Sequence, residues 1–67
     1  MDNWVVVYET DQPYRAEIAL QMLQGEGIEA VVMNKKDSSY VVIGEAQVLV
    51  RSEFAERAEG LIKTLEF

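Results

Sequence analysis

The chain contains no cysteine and no histidine. Disulfide staples are therefore impossible, and the commonest transition-metal ligands are missing. The same absences remove the Ser–His–Asp triad, the cysteine nucleophile, zinc-bound water, an axial imidazole on haem and iron–sulfur clusters. No metal and no cofactor is expected on these grounds. Bases are scarce as well: six Lys and Arg stand against twelve Asp and Glu, for a net charge of −6. Such a chain repels phosphate backbones and anionic headgroups, so neither nucleic acid nor a membrane surface is an expected partner. Long apolar runs are absent, and Met1-Asp2-Asn3-Trp4 offers no basic stretch ahead of an apolar one. Neither a membrane span nor an export signal can be read from that pattern, and the expected location is the cytoplasm.

What remains is a folding composition, 49% hydrophobic over 67 residues, enough for one small domain over 1–67. A chain this short buries only about 60% of the surface it exposes when unfolded, so it benefits from outside help. With disulfides and metals removed, a partner chain is the remaining helper.

Trp4-Val5-Val6-Val7-Tyr8 is β-branched and aromatic and runs into Thr10-Asp11-Gln12-Pro13, a turn signal, so it reads as a strand. Pro13 suits the first turn of a helix, with Thr10, Asp11 or Gln12 as the cap. Ala16, Ala19, Leu20 and Leu23 then recur at helical period, with Glu17, Gln21 and Gln24 opposite. If Gly27 takes the left-handed position after this helix, Leu23 and Ile28 fall where a Schellman stop makes its hydrophobic contact. A second strand over 28–33 alternates Ile28, Ala30 and Val32 against Glu29, Val31 and Met33. After the polar segment 34–39, residues 40–43 and 46–51 are strand-like, as one strand bulged at Gly44 or as two short ones. Ser52 is expected to cap a final helix whose apolar face is Phe54, Ala55, Ala58, Leu61, Ile62 and Leu65. Gly60 lies on its polar side.

The order β-α-β-β-α, with a right-handed first crossover, predicts an α+β, ferredoxin-like sandwich lacking its final strand. Both helices then cover one face of a small antiparallel sheet and leave the other open. A water-facing side should be polar at every second position. Here Val5, Val7, Val31, Met33 and Leu49 are the residues expected on it, an apolar centre with a charged margin, which is the pattern of an interface. The first strand should lie at an edge, rich in Val and without Lys, able to accept another strand. A second stripe on the first helix, Tyr14, Ile18 and Met22, is read as part of a wide core face with Tyr14 at its rim.

The densest polar cluster is Asn34-Lys35-Lys36-Asp37-Ser38-Ser39-Tyr40. Ser–Lys chemistry needs a desolvated lysine, which a polar loop does not supply. A loop on a rigid sheet can instead recognise a small ligand, for which Lys35, Lys36, Ser38, Tyr40 and Arg51 are the candidates. Gly25 and Gly27 follow a helix instead of preceding one, so no glycine cradle for phosphate is present. No carboxylate pair is singled out for acid–base work, and no catalytic residue is assigned. Trp4 and Tyr8 are assigned to the core.

Taken together, the opening strand ending in Val7-Tyr8, Ala16-Glu17-Ile18-Ala19, Leu23, Gly27-Ile28-Glu29-Ala30, Gly44, Val48-Leu49-Val50, Ala55, Ala58, Leu61 and Leu65 carry a resemblance. In their order and spacing they resemble a family of very small prokaryotic signal-transducing domains of unknown function. The resemblance implies a ferredoxin-like fold similar to that of the P-II nitrogen-regulatory proteins. It supplies no catalytic residues and no ligand. P-II proteins bind nucleotide with a long loop and a further strand that this pattern does not contain, so no ATP site is carried over.

The function expected from all of this is a non-catalytic regulatory or adaptor module. It would associate with itself, as a homo-oligomer, or with another protein through the open sheet face. The alternative is a small-metabolite sensor holding its ligand near the 34–40 loop between chains, and a small enzyme is the remote third.

Overall fold

A computed structural model describes residues 3–34 and 46–65. Strand β1 (Trp4–Thr10) leads into helix α1 (Pro13–Gly25), followed by β2 (Ala30–Asn34) and β3 (Ala46–Arg51). A short 3-10 turn (Ser52–Phe54) then opens helix α2 (Ala55–Ile62). The sheet order is β1-β3-β2, and β3 is antiparallel to both neighbours. Strands β1 and β2 are thus parallel but not adjacent: α1 carries the chain over the slot that β3 fills. This is the expected α+β, ferredoxin-like arrangement without its last strand among the described residues, with β1 at an edge.

Both helices pack on the same side. Ala16, Ala19 and Leu23 of α1 and Ala58 of α2 form one buried cluster with Ile28, Ala30, Ala46, Val48 and Val50. Five of those nine are alanines, whose lack of bulk lets the helix backbones lie close to the sheet. The shortest extent is 15 Å, the thickness of the helix layer on the sheet that the described residues form. The expected face of α2 is half-buried or buried throughout, whereas Glu56, Arg57, Gly60, Lys63 and Thr64 are exposed. Arg57 Nη2 donates to the Glu26 carbonyl at 3.3 Å, tying α2 to the C-terminal end of α1, where a cation is favoured.

The end of α1 is a Schellman stop. Gly27 has φ +80°. The Ile28 N–H donates to Leu23 O at 3.0 Å and the Gly27 N–H to Gln24 O at 3.0 Å. Leu23 and Ile28 are both buried, supplying the apolar contact that accompanies this motif. At the other end, Pro13 occupies the first helical turn behind Gln12, which makes no side-chain cap bond. Thr10, buried at the end of β1, accepts from the Gln12 N–H at 3.1 Å and turns the chain into the helix.

Three expectations need correction or lie elsewhere. Ser52 makes no side-chain cap: its N–H donates to Asn3 O at 2.6 Å, extending the β1–β3 ladder, and its carbonyl accepts from the Ala55 N–H. The chain therefore passes through a 3-10 turn before the helix proper begins. The Tyr14/Ile18 stripe is not core, with Tyr14 58% and Ile18 44% exposed. At about 3.6 residues per turn those two positions fall nearly opposite Ala16 and Leu23, and only Met22 reaches the core margin. Arg15 Nε donates to the Tyr14 hydroxyl oxygen at 3.3 Å, a bond that raises the guanidinium pKa beyond its already high ordinary value. Residues 40–43 and Gly44 lie outside the described residues. None of the described helices is long and apolar enough to cross a membrane.

Two glycine substitutions should move stability in opposite directions. A Cβ at Gly27 or Gly60 meets nothing within 4 Å, so backbone conformation alone decides the sign. Gly27→Ala forces alanine into the left-handed region and should cost about 1 kcal/mol or slightly more. Gly60→Ala, inside α2, should gain roughly 0.5–1 kcal/mol. Thermal melts should separate the two variants by roughly 6–16 °C at this chain length.

Candidate functional site

The side of the sheet away from the helices is built by register. Along β3, Ala46, Val48 and Val50 are wholly buried against the helices, so Gln47, Leu49 and Arg51 point the other way. Leu49 pairs with Val6 on one side and Val31 on the other. Arg51 pairs with Trp4, and Gln47 pairs with Glu9 and Met33. The open face is therefore three rows: Trp4–Arg51–Glu29, Val6–Leu49–Val31, and Glu9–Gln47–Met33.

Each end row is held by a polar contact. Arg51 Nε donates to Glu29 Oε1 at 3.0 Å, and the guanidinium carbon lies 5.0 Å from the centre of the Trp4 ring. Gln47 Nε2 donates to Glu9 Oε2 at 2.6 Å. The middle row is wholly apolar. Leu49, between its two valine neighbours on the central strand, is only 7% exposed, whereas Val6 is 44% and Met33 46% exposed. The face thus presents an apolar bar between two polar ends, with Trp4 and Met33 at opposite corners.

Its composition turns on a β-bulge. Between Val6 and Tyr8 the register with β3 shifts, so that Val6 pairs with Leu49 and Tyr8 with Val48. Val7 is the extra residue, and both Val7 and Tyr8 pack against the core cluster. Strict alternation would have carried Tyr8 to the same side as Trp4 and Val6. The extra residue resets the phase, so Tyr8 and Thr10 face the helices and Glu9 joins the open side.

Of the five residues expected on this face, Val31, Met33 and Leu49 lie there. Val5 and Val7 do not: Val5 pairs with buried Val50, and both pack against the helix-side core. Trp4 and Val6 take their places, so Trp4 is not the core residue it was expected to be. No signal within β1 could have made this choice, because the strand is apolar on both sides and its phase is set by pairing with β3. Of the residues assigned to ligand recognition, Arg51 lies on the open face and is engaged by Glu29 and Trp4. Lys35, Lys36, Ser38 and Tyr40 lie outside the described residues. Among the described residues every acidic and basic side chain is exposed or half-buried, the one buried polar residue is Thr10, and no cluster of carboxylates is placed to hold a metal ion.

The arrangement defines a class: a small α+β, ferredoxin-like unit with two helices on one side of its sheet and a partly apolar other side that no described element covers. A family model described as "putative prokaryotic signal transducing protein" matches residues 4–66, all six elements from β1 to the end of α2. The chain belongs to that family, whose function is not established. Neither the curated proteins nor the solved structures contain a significant match.

Arg51→Ala tests the geometry of the first row. The Arg51–Glu29 pair is solvent-accessible, so its loss should lower stability by no more than about 1 kcal/mol. Trp4 is the sole tryptophan, and losing the group stacked on it should make its fluorescence more accessible to acrylamide. Unchanged quenching would mean that the ring and the guanidinium do not stay together in solution.

Proposed function

We propose that this protein is a non-catalytic regulatory module of cytoplasmic signalling that acts by docking another protein surface onto the open face of its sheet. The observation that carries this reading is the apolar bar Val6–Leu49–Val31, flanked by Trp4 and Met33 on a side that no described element covers. Antiparallel sheets tolerate water on one face when that face is polar, and this one is polar only at its ends. An apolar centre with a polar rim and an aromatic anchor is the composition of recognition surfaces. The family's signal-transducing description points the same way. Size adds a physical motive, because covering this face would extend a core that is thin and alanine-rich.

The test replaces the two most exposed apolar residues of the face, leaving buried Leu49 untouched. Val6→Glu combined with Met33→Glu should abolish association, whether with itself or with a co-purifying protein, in native mass spectrometry. Far-UV circular dichroism should keep its native shape, while the melting temperature falls only by the stabilisation that association supplied. Association that survives the double substitution would overturn the reading.

A further inference from the structure

Resting on the docking reading, we propose that the occupant of the open face is a second copy of this chain. The two copies are related by a two-fold axis that crosses the strands at Leu49. The argument is one of charge and symmetry. In a two-fold interface, whatever one residue meets on the partner is met in return. The middle row is uncharged and can lie on itself, Val6 upon Val6 and Val31 upon Val31 of the second copy, on either side of the nearly buried Leu49. The end rows differ: one carries the Arg51 guanidinium paired with the Glu29 carboxylate, the other the Glu9 carboxylate with no cation beside it in its row. An axis across the strands lays each copy's Arg51 row over the other's Glu9 row and creates two opposite-charge contacts. The other two-fold in the plane, running along β3, would stack Arg51 on Arg51, a like-charge contact that the first axis avoids.

The side chains suit the first axis. Arg51 commits its Nε to Glu29, which leaves the remaining guanidinium N–H groups for a second acceptor. Trp4 and Glu29 flank the guanidinium from either side, so it stands over β3, one column from that in which Glu9 of the second copy arrives. The axis also runs the facing strands antiparallel, the aligned mode in which sheets pack about 10 Å apart. The alternative route to self-association, strand addition at the β1 edge, is obstructed. The bulge at Val7 breaks the alternation, so a second β1 laid antiparallel across it cannot keep its side chains matched face to face.

The experiment uses the intact chain and two single variants, Arg51→Glu and Glu9→Arg, in sedimentation velocity. Wild-type protein should be a dimer. Each variant alone places like charges together at both contacts and should weaken self-association by about ten-fold or more. An equimolar mixture of the two makes both contacts attractive and should restore a heterodimer of near wild-type strength. Thermal melts check that each variant is folded, and Glu9→Arg, at an exposed position, keeps the test valid should Arg51→Glu destabilise the fold. A wild-type monomer overturns the second-copy assignment, yet leaves the docking reading standing if a co-purifying protein is lost with Val6→Glu and Met33→Glu. A wild-type dimer indifferent to Glu9→Arg overturns the axis.

Discussion

Every other placement in this molecule depends on β3 being hydrogen-bonded on both sides. As the central strand it sorts its own residues strictly by parity: Ala46, Val48 and Val50 go to the helices, Gln47, Leu49 and Arg51 to the open face. Its neighbours then inherit their orientation through register, so Val31 and Val6 are drawn to opposite flanks of Leu49. The three-row surface is a consequence of that inheritance. Without the central strand, β1 has no preferred face, because five consecutive apolar residues satisfy either one.

The two sides of the sheet handle their burial differently. On the helix side, small residues do the packing: alanines of α1, α2, β2 and β3 bring the layers together and valines fill between them. A core of that kind stays thin, which suits a short chain with little surface to bury. On the open side, Leu49 is only 7% exposed, while Val6 and Met33 remain half in water. The bulge at Val7 connects the two sides. It turns Tyr8 and Thr10 inward, sends Glu9 outward, and interrupts an edge that would otherwise invite indiscriminate strand pairing. One inserted residue thereby shapes the open face and breaks the alternation of the β1 edge.

Much of the fold was legible because the signals were local. The Schellman stop at Gly27 could be placed to the residue, since a left-handed glycine and an apolar pair five residues apart are a property of one helix end. The α2 face was equally readable, because helical period needs no partner to define it. The Ser52 cap failed for the opposite reason: its backbone was claimed by Asn3, forty-nine positions earlier, and the chain took a 3-10 turn before entering the helix. Tyr14 and Ile18 form a real stripe, but which side of a helix meets the sheet is a choice among stripes, and the alanine-lined one approaches closer.

Composition and local pattern by themselves determined the element order, the α+β class, the edge position of β1, and a surface with an apolar centre. They also removed the chemistry that needs cysteine or histidine. Only the tertiary structure decided which residues form that surface. Val5 and Val7 went inward and Trp4 and Val6 outward because the phase of an all-apolar strand is undetermined until it pairs. The pairing partner lies some forty residues away, and a single bulged residue inverts the answer halfway along the strand. Alternation is a local rule, and register is not.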